Sequence, residues 1–292
     1  MADGLLAYLG RDSREALAAG SARQPAVSPD GGGWLARWAL IAAVVGATLY
    51  LFCGYHAGFE RINGLAARTP PWIWEWLTVL GDERVAFGLS LLLSRRHPRV
   101  FWTLIMAALV AIAYTHSLKP LFSALRPPAV MSPDTFNLIG PGHRKGSFPS
   151  GHTATISVFI GVLVYHLRSR PLRAALIVLA LAVGASRVAV GVHWPVDVAA
   201  GMAGGALAAW AGANLARRAE WGVYDPSAHL AFVALACVAA VTLLYWHGGY
   251  PGAARFQQLI GAGGLGYAAY AYLIHPVWRW RRDPRRFPGG GK

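Results

Sequence analysis

Three short segments carry the residue types needed for acid–base and anion chemistry. Lys119 and Arg126 stand seven apart in Lys119-Pro120-Leu121-Phe122-Ser123-Ala124-Leu125-Arg126-Pro127. Two helical turns would set both cations on one face, unless Pro120 and Pro127 bend the path. A flexible ammonium beside a planar guanidinium suits an anion with several oxygens, phosphate above all. Pro149-Ser150-Gly151-His152 opens an apolar run. Ser150 is a favoured helix N-cap, Gly151 lets a ligand approach the backbone, and the free N–H groups of a helix start attract anions. His152 stands at that edge, able to give or take a proton. The third segment runs Ser186-Arg187-Val188-Ala189-Val190-Gly191-Val192-His193-Trp194-Pro195-Val196-Asp197. Asp197 is the only acidic residue between Asp134 and Glu220, an expensive group in an apolar stretch. With a helix beginning near Pro195, its carboxylate reaches back four residues to His193. That contact fixes the imidazole tautomer and leaves the other ring nitrogen as nucleophile or base. Gly191 permits the turn before it. Each segment alone has a plain structural explanation, such as snorkelling, a capped helix or loop charge. Their convergence at one membrane face is what points to a site.

The elements that must position these residues are membrane helices. Of 292 residues, 55% are hydrophobic and 14% charged, against about 25% charged in soluble domains. That composition excludes a soluble globular or disordered chain, and two cysteines exclude a disulfide scaffold. Cys53 and Cys237 read as small apolar residues. Apolar runs predict spans at 34–55, 78–94, 100–118, 152–167, 172–192, 196–214, 229–246 and 257–275, since a bilayer core of about 30 Å needs about 20 helical residues. The fold class is all-α, a polytopic membrane helix bundle. Residues 1–33 form a tail, flexible or partly helical, 34–215 a six-span core, 229–275 two extra membrane helices and 276–292 a basic tail. Asp82, Glu83 and Arg84 place the start of the second span near the interface. Trp72, Trp74 and Trp76 read as an interfacial aromatic segment.

The net charge is +14. In a soluble protein this would suggest nucleic acid, but here the cations cluster in short loops, so membrane lipids and no nucleic acid are the expected partners. Arg95, Arg96 and Arg99, then Arg168, Arg170 and Arg173, then Arg217 and Arg218, and finally Arg279, Arg281, Arg282, Arg285 and Arg286 all follow even-numbered spans. The positive-inside rule assigns those ends and both termini to the cytoplasm. Lys119, Arg126, Arg144, Lys145 and Arg187 are exceptions on the opposite side, and a phosphorylated ligand accounts for the main ones. His143, Arg144 and Lys145 read as an exposed polar loop, with contact to a second phosphate or a headgroup as the alternative. His116 and His166 read as interfacial or packed histidines, and His275 begins a Trp/Arg-rich lipid anchor.

The three segments resemble the motif set of the type 2 phosphatidic acid phosphatase superfamily, Lys-x6-Arg-Pro, Pro-Ser-Gly-His and Ser-Arg-x5-His-x3-Asp. All are matched in order across 119–197, and with flanking helices the likeness spans roughly 75–215. The resemblance implies an integral-membrane lipid phosphatase with no cofactor, no metal and no obligate protein partner. It implies that His193 attacks phosphorus to form a phosphohistidine, that Asp197 orients it, and that His152 protonates the leaving oxygen and then assists water. Lys119, Arg126, Ser150, the Gly151 N–H and Arg187 would hold the phosphate oxygens. The implied substrate is a phosphomonoester or pyrophosphate of an amphiphile at the outer face of a bacterial inner membrane. Candidates are a polyprenyl pyrophosphate, phosphatidylglycerol phosphate, phosphatidic acid or a phosphorylated lipid A. Alternatives are a phosphotransferase that passes the group to a lipid or sugar hydroxyl, a vanadium haloperoxidase, and a transporter for a phosphorylated ligand. Eight apolar spans argue against the haloperoxidase, and a paired His–Asp with a second histidine argues against the transporter.

No cluster of carboxylates or histidines has metal-ligand spacing, and one aspartate is too few for a pair of Mg²⁺ ions. Phosphate release is therefore expected to be unchanged by EDTA. Strong chelator inhibition reversed by a divalent ion would contradict a metal-free reaction.

Overall fold

Helix after helix is dictated by long apolar runs punctuated by Pro, Gly and N-capping Asp or Ser. A computed structural model of the chain describes residues 4–23 and 30–282. The predicted Arg285 and Arg286, and residues 24–29 of the expected tail, lie outside the described residues. In chain order the helices are α1 (Leu5–Ala22), α2 (Gly31–Thr48, prolonged by a π-helical turn Leu49–Cys53), α3 (Phe59–Ala66), α4 (Pro71–Val79), α5 (Glu83–Ser94) and α6 (Pro98–Phe122). There follow α7 (Pro127–Val130), α8 (Gly151–His166), α9 (Arg170–Ala189), α10 (Pro195–Arg218), α11 (Trp221–Tyr224), α12 (Pro226–Tyr245), α13 (Ala254–Ala269) and α14 (His275–Arg281). Among the described residues, α2, α6, α9, α10 and α12 are long and apolar enough to cross a membrane, and α8 is a shorter apolar helix.

Two boundaries differ from the sequence expectation for identifiable reasons. The second span, expected as one helix over 78–94, is broken. Asp82 caps a new helix by accepting from the Arg84 N–H at 2.8 Å, so α5 has only 12 residues, about 18 Å of rise. The first span begins at Gly31, earlier than expected. Asp30 pairs there with the buried Arg173 at 2.8 Å, and Gly31 lies directly against the Tyr165 backbone. Within the expected tail, α1 is a formed helix docked on α6, α11, α12 and α14, with the buried Asp12 paired to Arg95.

The central helix is α10, which packs on α8, α2 and α6. Lipid is as apolar as leucine, so close backbone approach and dispersion drive helix association in a membrane, and small residues permit it. On α10 a Cβ at Gly201 would meet the Ser150 carbonyl oxygen at 2.6 Å, and one at Gly205 would meet Ser157 Cβ at 2.5 Å. Gly212 lies against the Ala107 backbone of α6. The extra helices α12 and α13 pack on each other and on α5. They build a second apolar cluster around Leu91, Phe101, Trp102 and Ala236.

Gly212→Val would force a side chain into the Ala107 backbone, and overpacking of this kind costs roughly 1–3 kcal/mol. Its thermal unfolding midpoint in detergent should fall. Gly263 has open space around its Cβ position, so Gly263→Ala should leave the midpoint unchanged or slightly raised.

Candidate active site

The three segments converge at one end of the bundle through backbone geometry that can be followed residue by residue. Lys119 lies in the last turn of α6. The helix stops at Ser123, which is left-handed with φ 46°, and Pro127 holds Arg126 extended at φ −85°, ψ 161°. Lys119 and Arg126 therefore do not share a helix face, as their spacing had suggested. Instead the chain doubles back. Leu125 bridges Lys145 in antiparallel fashion, the Arg126 N–H donates to the Arg144 carbonyl at 3.0 Å, and the Ser147 N–H donates to the Ala124 carbonyl at 3.0 Å. Arg126 Nε and Nη2 donate to the carbonyls of Lys145 at 2.9 Å and Gly146 at 3.3 Å. Arg144 and Lys145, exposed as expected, thus serve the site through their backbones.

Ser150 caps α8 and accepts from the Thr153 hydroxyl at 2.9 Å. Its own N–H donates to the Asp197 carbonyl at 3.0 Å, which stitches the second segment to the third. The N–H groups of Gly151 and His152 belong to the first helical turn, where the helix itself offers no acceptor. A Cβ at Gly151 would lie 3.5 Å from the Lys119 ammonium, so that cation sits at the helix N-terminus. Arg187 occupies the last turn of α9. The chain then reverses at Gly191, whose φ is +83°. A Cβ there would be 2.6 Å from the Asn137 carbonyl oxygen, so only glycine fits.

Asp197 is fully buried at the third position of α10. Its Oδ2 accepts from Ser147 Oγ at 2.5 Å, the Trp194 N–H at 2.9 Å and, at 3.3 Å, His193 Nδ1. Its Oδ1 accepts from the Tyr55 hydroxyl. Four donors satisfy a carboxylate that would otherwise be prohibitively costly to bury. His193 is itself 1% exposed, and burial pushes its imidazole down to about 3 despite the upward pull of Asp197. It is therefore neutral at neutral pH, with a lone pair available. Burial and the Arg187 charge push Arg126 down to about 10, still fully charged. His152, half-buried, interacts electrostatically with His193, Lys119, Arg126 and Arg187. The structure thus gathers Lys119, Arg126, Ser150, Gly151, His152, Arg187, His193 and Asp197 at one place.

Other histidines lie elsewhere or at the rim. His166, at the opposite end, bonds Thr103 at 3.2 Å. Partial burial, and after it the charges of Arg126, Arg187 and Lys119, lower the pKa of His143. Sequence reading missed several site neighbours: Tyr55 and Ser147 on Asp197, Thr78 on Arg187, and Asn63. The Asn63 amide clamps Asn137 and Ala189 through bonds of 2.7 and 3.0 Å. None of these carries a local spacing signal. Only the Ser147 position, three residues before Ser150, lies near a motif.

Comparison with known proteins bears on this arrangement. The family model described as PAP2 superfamily matches residues 99–221, which contain all three segments. An undecaprenyl-diphosphatase of Sulfolobus acidocaldarius is 34% identical over 146 residues, 49% of this chain and 69% of that protein. The crystal structure of Aquifex aeolicus LpxE is 32% identical with a TM-score of 0.47, covering 52% of this chain and 89% of that one. With its motifs intact and more than two thirds of a curated relative matched, the chain belongs to the PAP2 superfamily and is a membrane lipid phosphatase.

Proposed function

We propose that this phosphatase works through a phosphohistidine at His193, on the face of the membrane away from the cytoplasm. The observation that carries the reading is the buried His193–Asp197 pair surrounded by Lys119, Arg126 and Arg187. With Nδ1 committed to Asp197, Nε2 is the nitrogen left for bond formation. Nε2 attacks phosphorus, the bond to the leaving oxygen breaks, and protonated His152 gives that oxygen its proton. Water then attacks the phosphohistidine while His152 takes its proton, releasing inorganic phosphate and restoring His193. The three cations, Ser150 and the Gly151 N–H hold the oxygens on which charge accumulates, the main work of a phosphoryl-transfer site. No step in this scheme uses a metal, and the protein's own positive charge supplies the electrostatic stabilisation.

The substrate is a phosphorylated amphiphile whose head reaches the helix ends while its tail stays in lipid. Supporting this, a groove of about 430 Å³ bounded by α5, α6 and α8 runs from Lys119 and Gly151 towards Phe101 and Phe159. The first substrate to test is a polyprenyl diphosphate, in keeping with the archaeal relative. A phosphate-release panel on purified protein should compare it with phosphatidylglycerol phosphate, phosphatidic acid and lipid A. Orientation away from the cytoplasm rests on the arginines of the loops at the opposite end, including Arg95, Arg96, Arg217 and Arg218. The same distribution supports a multi-pass membrane protein with its site away from the cytoplasm, for which a bacterial inner membrane is the proposed location.

His193→Ala should abolish phosphate release from a short-chain lipid phosphate. Asp197→Asn should lower it about 10²–10⁴-fold by losing the tautomer control seen in other His–Asp pairs. Ser147→Ala or Tyr55→Phe, each deleting one hydrogen bond to a charged acceptor, should cost about tenfold. Full activity in His193→Ala would refute the reading. A periplasmic reporter fused near Pro141 should be active and one at the C-terminus inactive; the reverse pattern would refute the orientation.

A further inference from the structure

The α12–α13 pair lies beyond residues 99–221 that the family model matches, yet its turn reaches the phosphate site. Tyr250, in that turn, is 4% exposed. Its hydroxyl accepts from Arg187 Nη1 at 3.2 Å, and the same nitrogen donates to the Thr78 hydroxyl on α4. Tyr250 also lies near Arg126. The turn is fixed from two sides. Trp76 of α4 donates to the Gly252 carbonyl at 3.0 Å and stacks on Phe256, with ring centroids 5.0 Å apart and planes at 4°. On the other side the Tyr250 ring lies over Gly140, whose φ is +79° and where any Cβ would overlap the ring.

A guanidinium grips phosphate through a two-nitrogen fork, and the grip depends on how its plane is oriented. Nη1 carries two hydrogens, and Tyr250 and Thr78 supply one acceptor for each. The Nε–Nη2 edge is then the fork left for two phosphate oxygens, and Nε is buried with no partner among the described residues. Both acceptors come from outside the three motif segments.

We propose that Tyr250 is a positioning residue for phosphate binding, orienting Arg187 so that the C-terminal helical pair forms a working part of the phosphatase. This rests on reading Arg187 as a phosphate-holding group. Loss of the hydroxyl lets the guanidinium plane rotate about its Thr78 contact and weakens the grip without removing the charge.

The test uses the purified full chain in detergent, with a short-chain lipid phosphate as substrate and inorganic phosphate as competitive inhibitor. Y250F should raise the inhibition constant for phosphate, and KM with it, by about tenfold, the usual worth of a hydrogen bond to a charged group. An inhibition constant does not depend on how much enzyme is folded, so partial unfolding does not mimic this effect. In an R187K background, where there is no fork to orient, Y250F should add no further loss of phosphate affinity. If R187A weakens phosphate binding but Y250F leaves it unchanged, the proposal is overturned while the reading of Arg187 stands. If R187A itself leaves phosphate binding unchanged, both fall.

Discussion

A carboxylate buried at the start of a membrane helix is tolerable only when donors surround it, and the site end of this protein is organised around that requirement. Asp197 draws one donor from each of four places: Tyr55 after the first membrane helix, Ser147 in the long loop, the Trp194 backbone, and His193. Removing a single partner leaves charge uncompensated in a low-dielectric setting, where the penalty exceeds the value of the bond itself. The same need that holds the loop closed therefore holds the imidazole in one tautomer. Fold stability and the orientation of His193 are two consequences of one set of contacts.

Around this point the bundle divides its work by depth. At the site end Lys119, Arg126 and Arg187 crowd together and, among the described residues, none of the three forms an ion pair. An anion would relieve this repulsive arrangement, while Arg84 near them is paired with Asp82. At the opposite end arginines are paired, Arg95 with Asp12, Arg99 with Glu220 and Arg173 with Asp30. Between the two ends, α10 brings its glycines against α8 and α6, so that the first turns of α8 and α10 sit close enough for the Ser150 N–H to reach the Asp197 carbonyl. A bulkier α10 would move the helix N-terminus away from His193.

Much of this was legible in the sequence, and the rest was not for definable reasons. The His193–Asp197 contact and the Ser150 cap depend on local spacing, and Pro195 and Gly191 mark where the helices begin and turn. Membrane helices followed from composition. The joint placement of Lys119 and Arg126 was foreseen, but by the wrong geometry, because a helical spacing rule ignores the left-handed stop at Ser123 and the constraint of Pro127. Tyr55, Thr78 and Tyr250 reach the site across large separations in the chain, through contacts set by helix packing. Residue type alone does not distinguish them from the other tyrosines and threonines. The break at Asp82 was half-visible: the charged triplet marked an interface, while the capping bond that starts a new helix was not inferred.

The most direct measurement is identification of the covalent intermediate. A short-chain lipid phosphate carrying labelled phosphorus is mixed with the enzyme, quenched in alkali within the first turnovers, and the digested protein is mapped for label. The account predicts an alkali-stable, acid-labile phosphoryl group on the peptide containing His193. Label on any other residue would contradict it.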